Sequence, residues 1–267
     1  MVTKGVRLGR GRTAEVYEYG ENEVLKLFLP GFSAEAVTRE FELSSLAADS
    51  GLPVPKVLGR ATHNGRSGIV YERVQGVTLT RWAIENPLRV RGAGRILAEL
   101  HSAIHKVQVD PTSPVPSQQE SWARTLQNTD VPESARNSLP QWLAAIPQAN
   151  ALCHGDFHPD NVIMTAQGPM VIDWMTGTRG DPAADVARTW LILSTPALPP
   201  EVPMKPLVRM IRHYFRESYL QTYLKISGIP MADILFCRRA MAALRTAEGI
   251  LGEREYLLRI IDAPQAP

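Results

Sequence analysis

Two short segments of the chain carry side chains whose types and spacing suit catalysis. Residues 152–163 have the sequence LCHGDFHPDNVI, and residues 171–174 have the sequence VIDW. Asp156 and Asn161 lie five positions apart on a predicted tight loop, and Asp173 follows a short apolar run. A carboxylate can orient and deprotonate a hydroxyl, and amide and carboxylate oxygens are ligands that Mg²⁺ prefers. This combination is what transfer of a phosphoryl group from a nucleotide requires.

The N-terminal region holds a glycine-rich segment and a lysine within an apolar run. In the segment LGRGRTAEVY, Gly9 and Gly11 would let backbone amides approach phosphate oxygens. Alone, such a segment is also typical of an ordinary hairpin turn. Lys26 follows within VLKLF, where its charge would be costly to bury without a partner. The alternative for Lys26 is a solvent-facing position on an edge strand.

Taken in order, these motifs resemble the aminoglycoside phosphotransferase/choline kinase-like family, which are small-molecule relatives of protein kinases. The resemblance implies an α+β, bilobal protein-kinase-like fold, with an antiparallel sheet and one main helix in the N-lobe and a mostly helical C-lobe. It implies Asp156 as the catalytic base, and Asn161 and Asp173 as ligands of Mg²⁺. It also implies that Lys26 binds the α- and β-phosphates of ATP and pairs with a helix glutamate. GTP is the alternative nucleotide.

Two glutamates compete for the pairing with Lys26. Glu40 and Glu42 are two residues apart and therefore lie on different faces of a helix. Glu40 stands eleven residues before Gly51 and matches the family better. We predict Glu40 as the partner.

Further site positions are implied by the same resemblance. The segment YERVQG occupies the place of the hinge, so backbone groups of Glu72 and Val74 are expected to hold adenine. His158 stands where many protein kinases have a lysine. It either contacts the γ-phosphate as a catalytic group or braces the loop, and both roles stay open. Asp185, in the motif GDPAADVA, is expected to accept hydrogen bonds from the backbone of the catalytic loop.

The predicted elements place these motifs on two lobes. Over residues 1–75, short runs separated by glycines and by an Asn-Gly turn predict an antiparallel meander, with one helix over residues 33–49. The predicted buried positions of this helix are Ala36, Val37, Phe41, Leu43 and Leu46. Residues 76–267 show helical spacing, including His101 and His105 four positions apart, and a proline-rich stretch at residues 195–206 predicts a surface connection. We therefore predict an N-terminal nucleotide-binding lobe and a C-terminal helical lobe for catalysis and substrate binding.

Composition indicates an ordinary globular protein. The chain has 267 residues, of which 44% are hydrophobic and 21% charged, and a formal net charge of +2. Nothing general therefore favours nucleic acid or a membrane surface as a partner. Two cysteines without metal-ligand spacing favour a reducing compartment. Because we find neither a signal-peptide core nor a run of roughly 20 apolar residues, we expect a cytoplasmic protein. The oligomeric state stays open.

The charge of the C-terminal part bears on the acceptor. From Pro182 onward there are 11 Lys and Arg against 8 Asp and Glu, whereas a polycationic aminoglycoside needs a cleft lined by carboxylates. Four acids could still gather locally, namely Glu248, Glu253, Glu255 and Asp262. The predicted acceptor is a hydroxyl of a small molecule that is aminoglycoside-, choline-, sugar- or amino-alcohol-like.

The same residues argue against two alternatives to a small-molecule kinase. A nucleotide-binding pseudokinase or regulatory module has no chemical need for Lys26, Asp156, Asn161 and Asp173 together. A protein kinase is disfavoured because only six residues separate Asp173 from Gly180, which leaves no room for a long activation segment.

Overall fold

The computed structural model describes residues 5–128, 132–197 and 205–263. The chain divides into two compact units. The first comprises the described residues of Met1–Leu79 and Asp160–Gly177, and the second comprises those of Thr80–Pro159 and Thr178–Pro267. Residues 160–177 thus group with the N-terminal strands, although the sequence placed them in the C-terminal lobe. The functional division at residues 75 and 76 stays a prediction.

Ten strands form three sheets within the described residues. They are β1 (Arg7–Arg10), β2 (Ala14–Tyr19), β3 (Glu23–Phe28), β4 (Val57–His63), β5 (Arg66–Glu72), β6 (Val77–Thr78), β7 (Ala151–Cys153), β8 (Val162–Thr165), β9 (Gly168–Val171) and β10 (Thr178–Gly180). The first unit contains a five-stranded antiparallel sheet of order β1-β2-β3-β5-β4 and a three-stranded sheet of order β6-β8-β9. Its β4–β5 turn uses Asn64 and Gly65, with φ of 49° and 73°, as an Asn-Gly hairpin requires.

One helix, α1 (Ala34–Asp49), packs on the five-stranded sheet. Ser33 caps it, because the Ser33 hydroxyl accepts a hydrogen bond from the Ala36 N–H at 3.2 Å. Val37 belongs to the buried apolar cluster that α1 shares with the sheet. Glu40 is also buried, so this helix turns a carboxylate toward the sheet. The strand β3 runs between β2 and β5, which gives this carboxylate a central strand to face.

The second unit is mostly helical. Its helices are α2 (Leu79–Glu85), α3 (Val90–Lys106), α4 (Gln118–Asn128), α5 (Glu133–Arg136), α6 (Leu139–Ala144), α7 (Pro182–Ser194), α8 (Lys205–Ser227), α9 (Met231–Thr246) and α10 (Arg254–Ile261). None of the helices in the described ranges is long and apolar enough to cross a membrane. The proline-rich stretch at residues 195–206, which the sequence predicts as a surface connection, includes residues 198–204, and these lie outside the described residues.

The close approach of α3 and α8 depends on a glycine. A Cβ at Gly94 would lie 2.3 Å from the carbonyl oxygen of Phe215, so no other residue fits there without a shift of backbone. This approach brings His101 and His105 on α3 within hydrogen-bonding distance of tyrosines on α8.

Candidate active site

Lys26 is the centre of a buried charge cluster in the first unit. Its Nζ donates hydrogen bonds to Glu40 Oε1 at 2.5 Å and to Asp173 Oδ1 at 2.9 Å. The side chains of Lys26 and Glu40 are 13% and 1% exposed, against 39% for Asp173. The glutamate that meets Lys26 is therefore Glu40 and not Glu42, and the lysine lies on a central strand rather than an edge.

One carboxylate oxygen of this cluster accepts no hydrogen bond within the described residues. Burial would lower the pKa of Lys26, but the carboxylates of Glu40 and Asp173 outweigh it and raise that pKa, so the lysine is cationic. The Tyr71 hydroxyl also donates to Glu40 Oε1, at 3.2 Å. Glu40 Oε2 is buried and has no hydrogen-bond partner among the described residues. A buried acceptor of this kind is rare in folded proteins and calls for an explanation.

Asn161 and Asp173 lie at the same end of the β8–β9 ladder. Val162 pairs with Val171 there, and just beyond that pair the Ile172 N–H donates to the Asn161 carbonyl at 3.0 Å. Asp173 then adopts φ of 67°, a left-handed conformation that is uncommon outside glycine and tolerated by aspartate. The end of this ladder thus carries one amide and one carboxylate side chain, which are both hard oxygen donors.

Gly9 lies near the end of β1, where it pairs with Val16 of β2, and Gly11 lies in the turn between these two strands. The Gly11 N–H donates to the Ala14 carbonyl at 2.8 Å, which closes the turn. A Cβ at Gly9 would meet no atom within 4 Å, and one at Gly11 would meet only that carbonyl oxygen, at 3.6 Å. Packing within the unit therefore does not require glycine at either position. Because the two glycines have no side chains, the space beside this part of the hairpin stays open.

The predicted hinge begins where β5 ends. The Glu72 N–H donates to the Lys56 carbonyl at 2.9 Å, and the Arg73 N–H donates to the Asn22 carbonyl at 2.8 Å. These two bonds fix the backbone up to Val74. The N–H groups of Glu72 and Arg73 thus already donate to residues just before β4 and β3, and Val74 supplies the next donor along the chain.

In the second unit, Asp185 of α7 holds the loop that follows β7. Asp185 Oδ2 accepts a hydrogen bond from the His154 N–H at 2.7 Å, and Oδ1 accepts one from the Gly155 N–H at 3.0 Å. Gly155 has φ of 77°, which glycine adopts at no steric cost. The loop is thereby fixed at the two residues that precede Asp156.

Two histidines and two tyrosines complete the surroundings of Asp185. The Nε2 atoms of His101 and His105 lie 3.1 and 3.2 Å from Asp185 Oδ2, and their Nδ1 atoms lie 2.7 and 2.6 Å from the hydroxyls of Tyr219 and Tyr223. Burial lowers the pKa of His101 to about 3, so this imidazole is neutral. Burial would raise the pKa of Asp185, but hydrogen bonds from both histidines hold it well below its ordinary range. The sequence showed the histidine spacing without indicating this role.

Asp156 is a partly exposed carboxylate next to two cationic or hydrogen-bonding side chains. Its Oδ2 lies 3.5 Å from His158 Nε2, and its Oδ1 lies 3.6 Å from Arg188 Nη2. Burial would raise the pKa of Asp156, but the hydrogen bond from His158 and the charge of Arg188 hold it well below its ordinary range. Asp156 is therefore ionised and can accept hydrogen bonds. His158 thus contacts the predicted catalytic base within its own loop, and its two predicted roles both stay predictions.

Arg188 is a residue of this site for which the sequence gave no signal. It follows the GDPAADVA motif as one polar position of α7. Its partner is Glu248, at 2.6 Å, while Glu253 pairs with Arg245 at 2.7 Å. Glu255 also pairs with Arg259, at 2.5 Å, so three of the four acids considered for binding a cationic acceptor are paired with arginines of the same unit.

Comparison with known proteins assigns the family. Residues 4–228 match the model of the Phosphotransferase enzyme family, and the chain belongs to this family. It is 29% identical over 232 residues to mouse (Mus musculus) acyl-CoA dehydrogenase family member 10, an alignment that covers 75% of this chain and 21% of the relative. The chain thus spans about a fifth of the length of that curated relative.

Solved structures agree on the fold. A thermostable mutant of the aminoglycoside phosphotransferase APH(4)-Ia superposes with a TM-score of 0.66 at 17% identity, covering 98% of this chain and 93% of that one. A choline/ethanolamine kinase family protein from Mesorhizobium loti gives 0.65 at 16% identity, with 99% and 89% covered. The predicted family and the α+β, bilobal protein-kinase-like fold class are confirmed.

Proposed function

We propose that the protein is an ATP-dependent phosphotransferase that moves the γ-phosphate to a hydroxyl of a small molecule, with GTP as the alternative nucleotide. The observation that carries this proposal is the contact of Lys26 with both Glu40 and Asp173. One buried carboxylate would neutralise a purely structural lysine, yet here a second carboxylate, 39% exposed, shares the same cation. Membership of the phosphotransferase family supports the proposal. A mutant of APH(4)-Ia has been solved with AMP-PNP and hygromycin B.

The first unit would hold the nucleotide. Backbone amides beside Gly9 and Gly11 would approach phosphate oxygens in the space that the missing side chains leave clear. Lys26 would bind the α- and β-phosphates while Glu40 keeps it in place. The Val74 N–H and the Glu72 carbonyl would hold adenine, a role that any side chain at these positions permits.

Asn161 and Asp173 would hold Mg²⁺. Their donor set fits a hard cation, because it offers one amide and one carboxylate oxygen at the same end of a ladder and contains neither sulfur nor imidazole nitrogen. The ion supplies neutralisation of charge on the phosphates. The chain's own contribution is to keep these oxygens and the Lys26 ammonium close together.

Asp156 would align the acceptor. With a pKa below the ordinary range, it stays ionised and can accept a hydrogen bond, although it is a weak base. Its role would be to orient the hydroxyl for in-line attack and to take the proton late, when the new bond to phosphorus has largely formed. His158, which contacts Asp156 Oδ2, would brace the carboxylate as the second catalytic-loop residue.

The test is release of ADP or GDP from Mg²⁺-nucleotide across a panel of acceptors. The panel contains aminoglycosides including hygromycin B, choline and ethanolamine, sugars, amino alcohols and hydroxylated acyl-CoA thioesters. The thioesters are included because the curated relative is named for the acyl-CoA dehydrogenase family. Asp156→Asn should abolish any hit, while Asp160→Asn, an exposed neighbour on the same loop, should leave it unchanged. Nucleotide binding without turnover on any acceptor would favour the pseudokinase or regulatory alternative.

A further inference from the structure

Arg188 of α7 reaches three different groups at once. Its Nε donates a hydrogen bond to the Gly155 carbonyl oxygen, and its Nη2 lies 3.6 Å from Asp156 Oδ1 and 2.6 Å from Glu248 Oε1. The side chain is only 18% exposed. The guanidinium therefore touches the carbonyl that precedes Asp156, the Asp156 carboxylate itself, and an acid that follows α9.

A line of alternating charges holds Arg188 in this orientation. Glu248 Oε2 lies 3.4 Å from Arg245 Nη1, and Arg245 makes two hydrogen bonds to Glu253, at 2.7 and 3.0 Å. The side chains of Arg245 and Glu253 are 5% and 3% exposed. The bidentate Arg245–Glu253 ion pair is geometrically specific, and because it is buried it is weakened little by salt. The segment between α9 and α10 is thus tied through Arg188 to the catalytic loop.

We propose that Arg188 is a positioning residue for phosphoryl transfer, which fixes the Gly155 carbonyl and the Asp156 carboxylate in the orientation that receives the acceptor hydroxyl. This inference rests on the proposed function. Arg188 acts through Asp156 and contacts neither nucleotide nor acceptor. A planar guanidinium can contact the carbonyl, the carboxylate and Glu248 with separate N–H groups, whereas a lysine ammonium is a single point charge on a flexible stem.

The contacts exceed what a purely structural arginine needs. Glu248, at 2.6 Å, alone would neutralise the buried charge, yet Arg188 also contacts the Gly155 carbonyl and the Asp156 carboxylate. Arg188 also shares Asp156 with other titratable groups of the loop, namely His158 at Oδ2 and His154 nearby. Of these groups, the arginine is the one whose charge is fixed at every working pH, because its pKa is raised by Glu248 and Asp156 against the effect of burial.

The experiment compares Arg188→Met and Arg188→Lys with a matched control. The control is Arg239→Met, because Arg239 Nε also donates to a backbone carbonyl, that of Ile261 at 2.6 Å, and its guanidinium stacks on Trp142, away from the catalytic loop. We expect Arg188→Met to lower kcat by about 10- to 100-fold with little change in KM for nucleotide. The acid limb of kcat/KM should move to higher pH, since a positive charge has left Asp156.

The lysine variant and the control separate positioning from general stability. Arg188→Lys should keep the acid limb close to that of the unmodified protein and recover only part of kcat. Arg239→Met should change neither. Glu248→Gln keeps Arg188 but removes the charge that orients its guanidinium. It should therefore lower kcat by a smaller factor than Arg188→Met does. It also keeps the test valid if Arg188→Met fails to fold.

A second readout does not depend on turnover. Hydrogen–deuterium exchange of peptides that cover residues 152–159 should become faster in Arg188→Met, or in Glu248→Gln, and stay unchanged in Arg239→Met. Unchanged exchange together with an unmoved acid limb would overturn the role of Arg188. Faster exchange in a protein that transfers no phosphate to any acceptor would support the positioning contact and overturn the proposed function instead.

Discussion

A buried carboxylate stands at the centre of each unit, and the two differ in how fully they are satisfied. Glu40, 1% exposed, has one oxygen bonded to Lys26 and Tyr71, while its other oxygen has no hydrogen bond among the described residues. Asp185, 2% exposed, accepts hydrogen bonds from two backbone N–H groups and from His101 and His105.

For this reason the pKa values of the two carboxyl groups are shifted in opposite directions. Burial raises the pKa of Glu40, and the charge of Lys26 does not fully offset it. Burial has the same effect on Asp185, but the hydrogen bonds from His101 and His105 prevail and the pKa is lowered. A partly satisfied cluster can exchange partners when a ligand arrives, whereas a saturated one holds a loop still. This difference suits a nucleotide site in the first unit and a rigid catalytic loop in the second.

The largest effect on stability should come from removing the Asp185 carboxylate, whose hydrogen bonds are all made. Asp185→Ala removes the acceptor of four hydrogen bonds, and we expect it to lower the free energy of unfolding by about 3 to 5 kcal/mol. Asp181→Ala at the N-cap of the same helix removes the capping hydrogen bonds from the backbone N–H groups of Ala183 and Ala184 and should cost about 1 kcal/mol. Urea unfolding at neutral pH measures both. Equal losses would mean that Asp185 is an ordinary helix residue.

Removing Lys26 from the first unit should make protein stability depend on the protonation of Glu40. In Lys26→Met, we expect Glu40 to be protonated in the folded protein and ionised in the unfolded chain. The folded state then binds more protons, so stability should fall as the pH rises, by about 2 kcal/mol between about pH 5 and about pH 7. Adding Glu40→Gln should remove this dependence. A slope that survives in the double variant would contradict the assignment to Glu40.

The second unit should show the opposite pH dependence through His101. Its folded pKa of about 3 lies below the ordinary value of 6.5, so the unfolded chain takes up a proton that the folded protein refuses. Stability should therefore fall as the pH falls, with a contribution of about 1 kcal/mol between about pH 6.5 and about pH 5.5. His101→Gln should flatten this slope and His63→Gln should not. Identical pH curves for the two variants would show that His101 does not stay neutral.

Sequence reasoning succeeded for residues whose role is indicated by their immediate neighbours in the sequence. The lysine in an apolar strand and the helix glutamate were predicted as a pair, and the structure brings Lys26 and Glu40 together. The burial pattern of α1 was less well predicted. Phe41 was expected inside and is only partly buried, because the face that turns toward the sheet carries Glu40 and Ser44.

Residues that act through distant partners escaped prediction. Tyr219 and Tyr223 each bond a histidine 118 positions away, and no local pattern marks a tyrosine of an amphipathic helix as such a partner. Arg188 is likewise defined by Glu248, sixty positions further along the chain. The close approach of α3 and α8 at Gly94, which creates the first of these contacts, depends on tertiary packing.

The most direct test of the account measures Mg²⁺-ATP affinity and turnover for two variants side by side. Lys26→Met should weaken nucleotide binding by about 10- to 100-fold, since it removes a charged donor from the phosphates. Asp156→Asn should bind nucleotide like the unmodified protein and lose turnover by about 10²- to 10⁴-fold. If Asp156→Asn instead lost affinity, or if Lys26→Met kept it, the division of labour between the two units would be contradicted.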